Sequence, residues 1–451
     1  MGPLPPLGEM LRARLWPVPA LAVVLAVALG VGLPRLDARI RTGIPPSLAD
    51  YLFGGDPDAA RALLAAIAGS LITATTLTLS LTVVTLQLAS SQFSPRLLRT
   101  FSQDGYVQAT LALFLATFTY ALTVLRTVRS GSGNETPALP QVSITVAFLL
   151  TLASMFVLVV FLSHLARKIR VETMLRDVHV DADTTIRRLL PEAEADPAGT
   201  PPPAPPEPPA GALPLLAASS GFLSAVDEGA ILSAAIEADA VVLVDRSPGS
   251  SLISGTPVGA VWPRTGRPFA PEVREELVSS AARTLTTEPE RTPRQDVSFG
   301  LRQLTDVATR ALSPGINDPT TAVHALSHSS ALLCELARRD PSPRLLHDDR
   351  GRIRVVLRRA NLAELLRLGI AQPLCYGAAE PAVLARLLML LRELAWHSRP
   401  EQRAAIVEQL TRVRDVAAGQ ELGPADRADI AALTALVEQA LTGEWPPATV
   451  G

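Results

Sequence analysis

From Ala62 to Gln92 the chain runs roughly thirty residues without a charged side chain, and about 20 apolar residues suffice to cross a bilayer. A backbone in lipid must satisfy its own hydrogen bonds, so this segment reads as a helix. The polar–apolar alternation between Thr76 and Thr82 would suggest a strand elsewhere. Yet the span is threaded with hydroxyls and an amide: Thr73, Thr75, Thr76, Thr78, Ser80, Thr82, Thr85 and Gln87. Lipid offers these groups no partner. The helix must therefore meet other helices or water.

At 100° per residue the polar positions divide. Thr73, Thr76, Ser80, Gln87 and Ser91 fall on one stripe, and Thr75, Thr78, Thr82 and Thr85 on a roughly opposite one. Small hydroxyl residues let helices pack closely and bond across the contact. The alternative is that one stripe packs while the other lines an aqueous path in an oligomer. The first stripe is the pore-lining candidate.

Three further apolar spans are read at Val18 to Leu33, Val107 to Leu125 and Val142 to Leu165. Arg12 and Arg14 give the first a signal-peptide look, but no small-residue cleavage site precedes Pro34-Arg35, so it reads as a retained anchor. Four spans put both termini on one side. That side carries Arg12, Arg14, Arg96, Arg99, Arg167, Lys168 and Arg170; the other carries Arg35, Arg39, Arg41, Arg61, Arg126 and Arg129. This narrow majority favours cytoplasmic termini in a multi-pass protein of the plasma (inner) membrane. Cys334 and Cys375 form no C-x-x-C pair or disulfide framework, in keeping with a reducing compartment.

The second span ends in SSQFSPRLLR. Ser94 as N-cap, Pro95 as first helical residue and a Phe93–Leu98 staple predict a sharp elbow and a short interfacial helix. Arg96 and Arg99 then lie at headgroup level, anchoring to anionic lipid or ringing a pore mouth.

The expected fold is a mainly α membrane protein: four transmembrane helices followed by a cytoplasmic α+β domain. Residues 1–15 form a cytoplasmic tail, 16–165 the membrane domain, 166–190 a stalk helix and 191–214 a proline-rich, extended linker. Residues 215–268 read as a small β-rich module with strands at Gly221–Val226 and Ala240–Asp245, and 269–445 as a mainly helical region with one strand near Ile353–Leu357.

Two features of the helical region invite a function. In SPGINDPTT, Ser313, Gly315, Asn317 and Asp318 form a loop in which Asp318 caps and Pro319 opens the next helix. Amides at that helix start can hold an anion, or the loop is simply a well-capped turn. Before it, Arg302, Asp306 and Arg310 stand at i, i+4 and i+8, a salt-bridge row with one carboxylate between two guanidiniums.

Several classes fall away. The net charge of −2 gives no bulk field for nucleic acid. Lys168 is the only lysine among 41 basic residues, which removes a Walker A, Schiff-base or swinging-arm lysine from the soluble part. His324 and His328 share a helix face, but position 325 is alanine rather than the glutamate of H-E-x-x-H, and no third ligand presents itself. No G-x-S-x-G elbow is present. No catalytic residue, metal or cofactor is assigned.

LQLASSQFSPRLLRTF at 86–101, FGLRQLTDVATRALSPGINDPTTAV at 299–323 and the glycine-rich β segment near 248–260 resemble a bacterial family of predicted membrane proteins, the domain of unknown function 2254 family. The resemblance covers nearly the whole chain and implies a four-helix membrane domain with a cytoplasmic domain. It implies no established activity. The reading that follows is an oligomeric channel or pore with a cytoplasmic vestibule or gate, its partners being lipids, further copies of itself and permeant ions. The alternative is a membrane-anchored scaffold or sensor whose cytoplasmic domain binds a partner or ligand.

Overall fold

The computed structural model describes residues 16–40, 52–92, 104–128, 139–168, 170–192, 205–340 and 342–447. They form two compact units, one ending at Arg170 and the other beginning at Val171. The predicted elbow with Arg96 and Arg99 lies outside the described residues.

The first unit holds four helices: α1 (Pro17–Ile40), α2 (Pro57–Gln92), α3 (Gly105–Leu125) and α4 (Gln141–Lys168). All four are long and apolar enough to cross a membrane. The third packs against each of the others. Its Phe114, Tyr120, Ala121 and Val124 are buried among Ala26 of α1, Leu64 and Leu71 of α2, and Ile144 of α4. Where α1 meets α3 the backbones approach so closely that a Cβ on Gly30 would lie 2.8 Å from Thr123 Cβ. Only glycine fits there.

The first helix outruns the expected stop at Leu33, for Pro34 sits inside it and the helix continues to Ile40. A proline in a helix lacks one amide and crowds the carbonyl four residues back. Tertiary contact outweighs that cost: Asp37, only 4% exposed, accepts the amides of Val142 (2.9 Å) and Ser143 (3.3 Å). It caps the start of α4 from another helix.

The second unit opens with α5 (Val171–Leu189), whose Leu175, Val178 and Ile186 are buried. It packs on α8 (Phe299–Ala311) and α9 (Pro319–Ala337). A Cβ on Gly300 would fall 2.2 Å from Ala182 Cβ, so α8 crosses α5 through a glycine. Two sheets follow. One has the order β1 (Leu213–Leu216), β5 (Pro257–Pro263), β3 (Ala240–Val244), β8 (Ile353–Leu357), β7 (Arg344–His347); the other, β4 (Ser251–Leu252), β2 (Gly221–Val226), β6 (Leu285–Glu288). Helices α6 (Glu228–Glu237) and α7 (Pro271–Arg283) lie between strands in sequence, and α10 (Leu362–Tyr376), α11 (Pro381–His397), α12 (Arg403–Ala418) and α13 (Pro424–Thr442) complete the chain.

The β-rich module therefore does not end at residue 268. Strands β6, β7 and β8 come from the region read as helical and join its sheets. The reason lies in β3, whose AVVLV sequence is largely buried. A strand buried this way needs neighbours on both edges. It finds β5 antiparallel on one side and β8 parallel on the other. Strand β1 also takes Leu213 and Pro214 from the end of the predicted linker. Its edge position tolerates the proline.

Candidate functional site

Helix α2 sorts its polar groups as the helical projection requires. Thr75, Thr78, Thr82 and Thr85 are buried inside the membrane unit. Thr73, Thr76, Ser80 and Gln87 are exposed on its surface; Ser91 lies in the last turn, its side chain outside the described residues. The outward set advances by three, four and seven residues, a 3.5-residue period that keeps one seam facing one neighbour. Leu77, Leu79, Val83 and Val84 flank it and are also exposed.

The hydroxyls turn back on their own helix. Thr73 donates to the Gly69 carbonyl (3.0 Å), Thr75 to Leu71 (2.7 Å), Thr76 to Ile72 (2.9 Å), Thr82 to Thr78 (2.8 Å) and Thr85 to Leu81 (2.8 Å). Each is thus satisfied in an apolar surround without a second helix. Thr78 differs: its Oγ1 is buried and has no partner.

Contacts between helices concentrate near the ends. Asp37 caps α4 at one. Asp104, the N-cap of α3, accepts the Tyr106 amide (2.9 Å) with one oxygen and faces His164 Nε2 of α4 at 2.6 Å with the other. The Tyr106 ring stacks on His164, centroids 4.4 Å apart. At the Asp37 end the Tyr120 hydroxyl of α3 also donates to the Ser143 carbonyl (3.1 Å), and only Thr117, which meets Ser154 at 3.3 Å, joins two helices near the middle among the described residues. Sequence reading passed over Asp37, Asp104 and His164. The available signal was ionisable residues inside or bordering apolar spans, which are rare enough to mark a role.

In the second unit the SPGINDPTT loop is a closed turn. The amides of Ile316 and Asn317 donate to the Ser313 carbonyl (3.0 and 2.9 Å) and that of Asp318 to Ala311 (2.8 Å). Ser313 Oγ donates to the Arg310 carbonyl (2.7 Å), Asn317 adopts φ +49°, and Gly315 is exposed. Asp318 Oδ1 accepts the Thr321 amide (3.0 Å) and Oδ2 its hydroxyl (2.5 Å). These bonds hold its carboxyl below the usual aspartate range. Capping accounts for the bonds of this turn. In the row before it, Arg302 donates to Gln372 of α10 (3.4 Å), and Asp306 is half-buried. Of the paired histidines, His328 faces His179 of α5, ring centroids 5.2 Å apart. Burial, then His179, pushes its pKa down. Among the described residues no three His, Cys, Asp or Glu side chains are grouped to hold a metal ion.

Comparison with known proteins places this architecture. Over 449 residues the chain is 35% identical to the uncharacterized protein Rv1290c of Mycobacterium tuberculosis, covering 98% of this chain and 84% of that one. It is equally similar to the uncharacterized protein Mb1321c of Mycobacterium bovis. No solved structure matches. Residues 12–393 match the family described as predicted membrane protein (DUF2254), and with four membrane-length helices ahead of a mixed α and β unit, the chain belongs to that family.

Proposed function

We propose that this membrane protein is an oligomeric channel in which the outward seam of α2 lines a conduction path. One observation carries the reading: Thr73, Thr76, Ser80 and Gln87 share a 3.5-residue rhythm and are exposed on the membrane unit while the opposite hydroxyls are buried. Thr73 and Thr76 are satisfied by their own helix, but Ser80 and Gln87 on the same seam gain little from lipid. They suit water or a second copy. The absence of any charged residue from Ala62 to Gln92 fits passive conduction better than proton-coupled transport. The distribution of arginines near the spans supports cytoplasmic termini in the plasma membrane, and the free Cys334 and Cys375 agree with a reducing compartment for the soluble unit. We assign the chain no catalytic role.

Reconstitution in planar bilayers tests the proposal. Leucine at Thr76, Ser80 and Gln87 together lowers conductance while the oligomer keeps its size. Silent bilayers across voltages and salts would overturn the reading, and loss of assembly would make the seam a packing surface. A sensor role is the second reading, favoured by a cleft in the soluble unit.

A further inference from the structure

Strands β3 and β8 lie side by side and parallel, so Val244 and Leu357 end at the same edge of the sheet. Ligands of open α/β sheets gather outside the carboxyl ends of such strands. A cleft of about 170 Å³ opens here, its apolar walls including both strand ends. Five arginines line it: Arg188, Arg246, Arg344, Arg358 and Arg359. Only two carboxylates do, Glu228 and Asp296.

Those carboxylates leave most of the positive charge unanswered. Asp296 is held by Arg291, outside the cleft (2.6 and 2.9 Å), and by Ser298. Glu228 is taken by Arg344 (2.8 Å), while Arg358 reaches Asp245 and Glu364. Among the described residues, the other three arginines form no ion pair. Arg188 donates to the Arg294 carbonyl (3.0 Å) and Arg359 to the Leu189 carbonyl (3.0 Å). Arg246 is exposed, and among the described residues its side chain forms no hydrogen bond or ion pair. A guanidinium carries five N–H donors in a planar fork, so each of the three keeps donors to spare. Arg359 is half-buried; burial first, then Arg344, presses its pKa down from the ordinary arginine value, with Asp340 and Glu228 acting the other way.

We propose that this cleft binds a phosphate-bearing small molecule, its phosphate gripped by Arg246, Arg359 and Arg188 and its organic body lying against the apolar walls. Arginine forks match phosphate oxygens in pairs and hold them by charge-assisted hydrogen bonds. A phosphomonoester, carrying nearly two negative charges at neutral pH, answers the surplus that two occupied carboxylates do not. The site is independent of conduction through α2, and its occupancy can be read without any flux.

Calorimetric titration of the full-length protein in phosphatidylcholine nanodiscs, with AMP and inorganic phosphate as probes, tests this. AMP binds saturably and weakens as salt rises. Arg246→Ala lowers its affinity about tenfold or more and leaves the unfolding temperature of the free protein unchanged, since Arg246 holds nothing in place. Arg359→Lys, which keeps charge but loses the fork, lowers affinity as well. Arg367→Ala, removing a surface pair with Glu408, has no effect. Repeating the titration with phosphatidate in the nanodisc identifies the source: competition that depends on Arg246 makes a lipid headgroup the phosphate donor, and lack of competition makes it a soluble ligand. No saturation below about 10 mM, or binding indifferent to both Arg246→Ala and Arg359→Lys, overturns the proposal.

Discussion

Along the middle of α2, polar groups bond within their own helix, four residues back. In the second unit the buried hydroxyls of Thr305, Ser329 and Thr434 do the same, but the buried charges reach across the chain. Arg354 joins Asp239, 115 positions away, and Asp348. Arg339 pairs with Glu335 (2.7 Å) and donates to the carbonyl of Leu190, 149 positions away (3.1 Å). The contrast follows from the surroundings. A helix in lipid must be satisfied before it packs, so its hydroxyls close locally and contacts between helices are left mainly to shape. Outside lipid, water is the alternative partner. Buried charges of the second unit mostly find a counter-charge across the fold, whereas Arg392 donates to the Pro446 carbonyl and lies over the Trp445 ring.

The largest expected effect sharpens this contrast. Arg339→Ala leaves the buried Glu335 to Arg338 (2.6 Å) and Arg187 (3.4 Å), both largely exposed, and cuts a tie to the end of α5. It costs about 2–3 kcal/mol, less than the roughly 3–5 kcal/mol of a buried charge left with no partner. Trp262, Trp396 and Trp445 lie in the second unit, so with Trp16 of the first unit replaced by Phe the denaturant dependence of tryptophan fluorescence reports it. A loss below about 1 kcal/mol would mean the pair is effectively solvated.

A smaller effect compares two caps. Asp37 caps a helix other than its own, whereas Asp318 caps the helix it precedes. Asp37→Ala costs about 1–2 kcal/mol and Asp318→Ala about 1 kcal/mol, measured by unfolding in mixed micelles and by fluorescence respectively. The folded pKa of Asp318 is depressed, so its contribution is present above the unfolded value of about 4 and is lost as pH falls through the folded one. Equal costs would show that joining two helices adds nothing to capping one.

The smallest effect concerns the hydroxyls themselves. Thr82→Val changes stability by no more than about 0.5 kcal/mol, because the Thr78 carbonyl keeps its helical amide partner. Thr78→Val removes a buried hydroxyl without a partner and raises stability by up to about 1 kcal/mol. If Thr78→Val destabilises instead, that hydroxyl is bonded across an assembled interface.

Much of this was legible in residues alone. The four spans follow from hydropathy, and the division of α2 follows from the 3.6-residue repeat. Asp318 and Pro319 announced a helix start by chemistry that depends on a few neighbouring residues. What escaped depends on distant partners. Pro34 reads as a stop until Asp37 is seen capping α4. Ile353–Leu357 reads as an isolated strand until β3, over a hundred residues earlier, is found beside it. The arginine cleft is the extreme case, for Arg188, Arg246 and Arg359 lie far apart in sequence. It takes the parallel pairing of β3 with β8 to set Arg246 near Arg359, and the end of α5, bonded to Arg359 through the Leu189 carbonyl, to add Arg188.

The back-bonded threonines also bear on mechanics. A carbonyl that accepts both a helical amide and a hydroxyl holds the amide less tightly, and helices bend at such points. Helix α2 has five of them between Thr73 and Thr85. At 36 residues it is about 54 Å long, well beyond a hydrocarbon core of about 30 Å. A helix both overlong and softened takes up a change in bilayer thickness by tilting or curving. Helices α3 and α4 carry three such bonds each, so what sets α2 apart is its length, and its tilt is the adjustment that a thinner or thicker bilayer asks for.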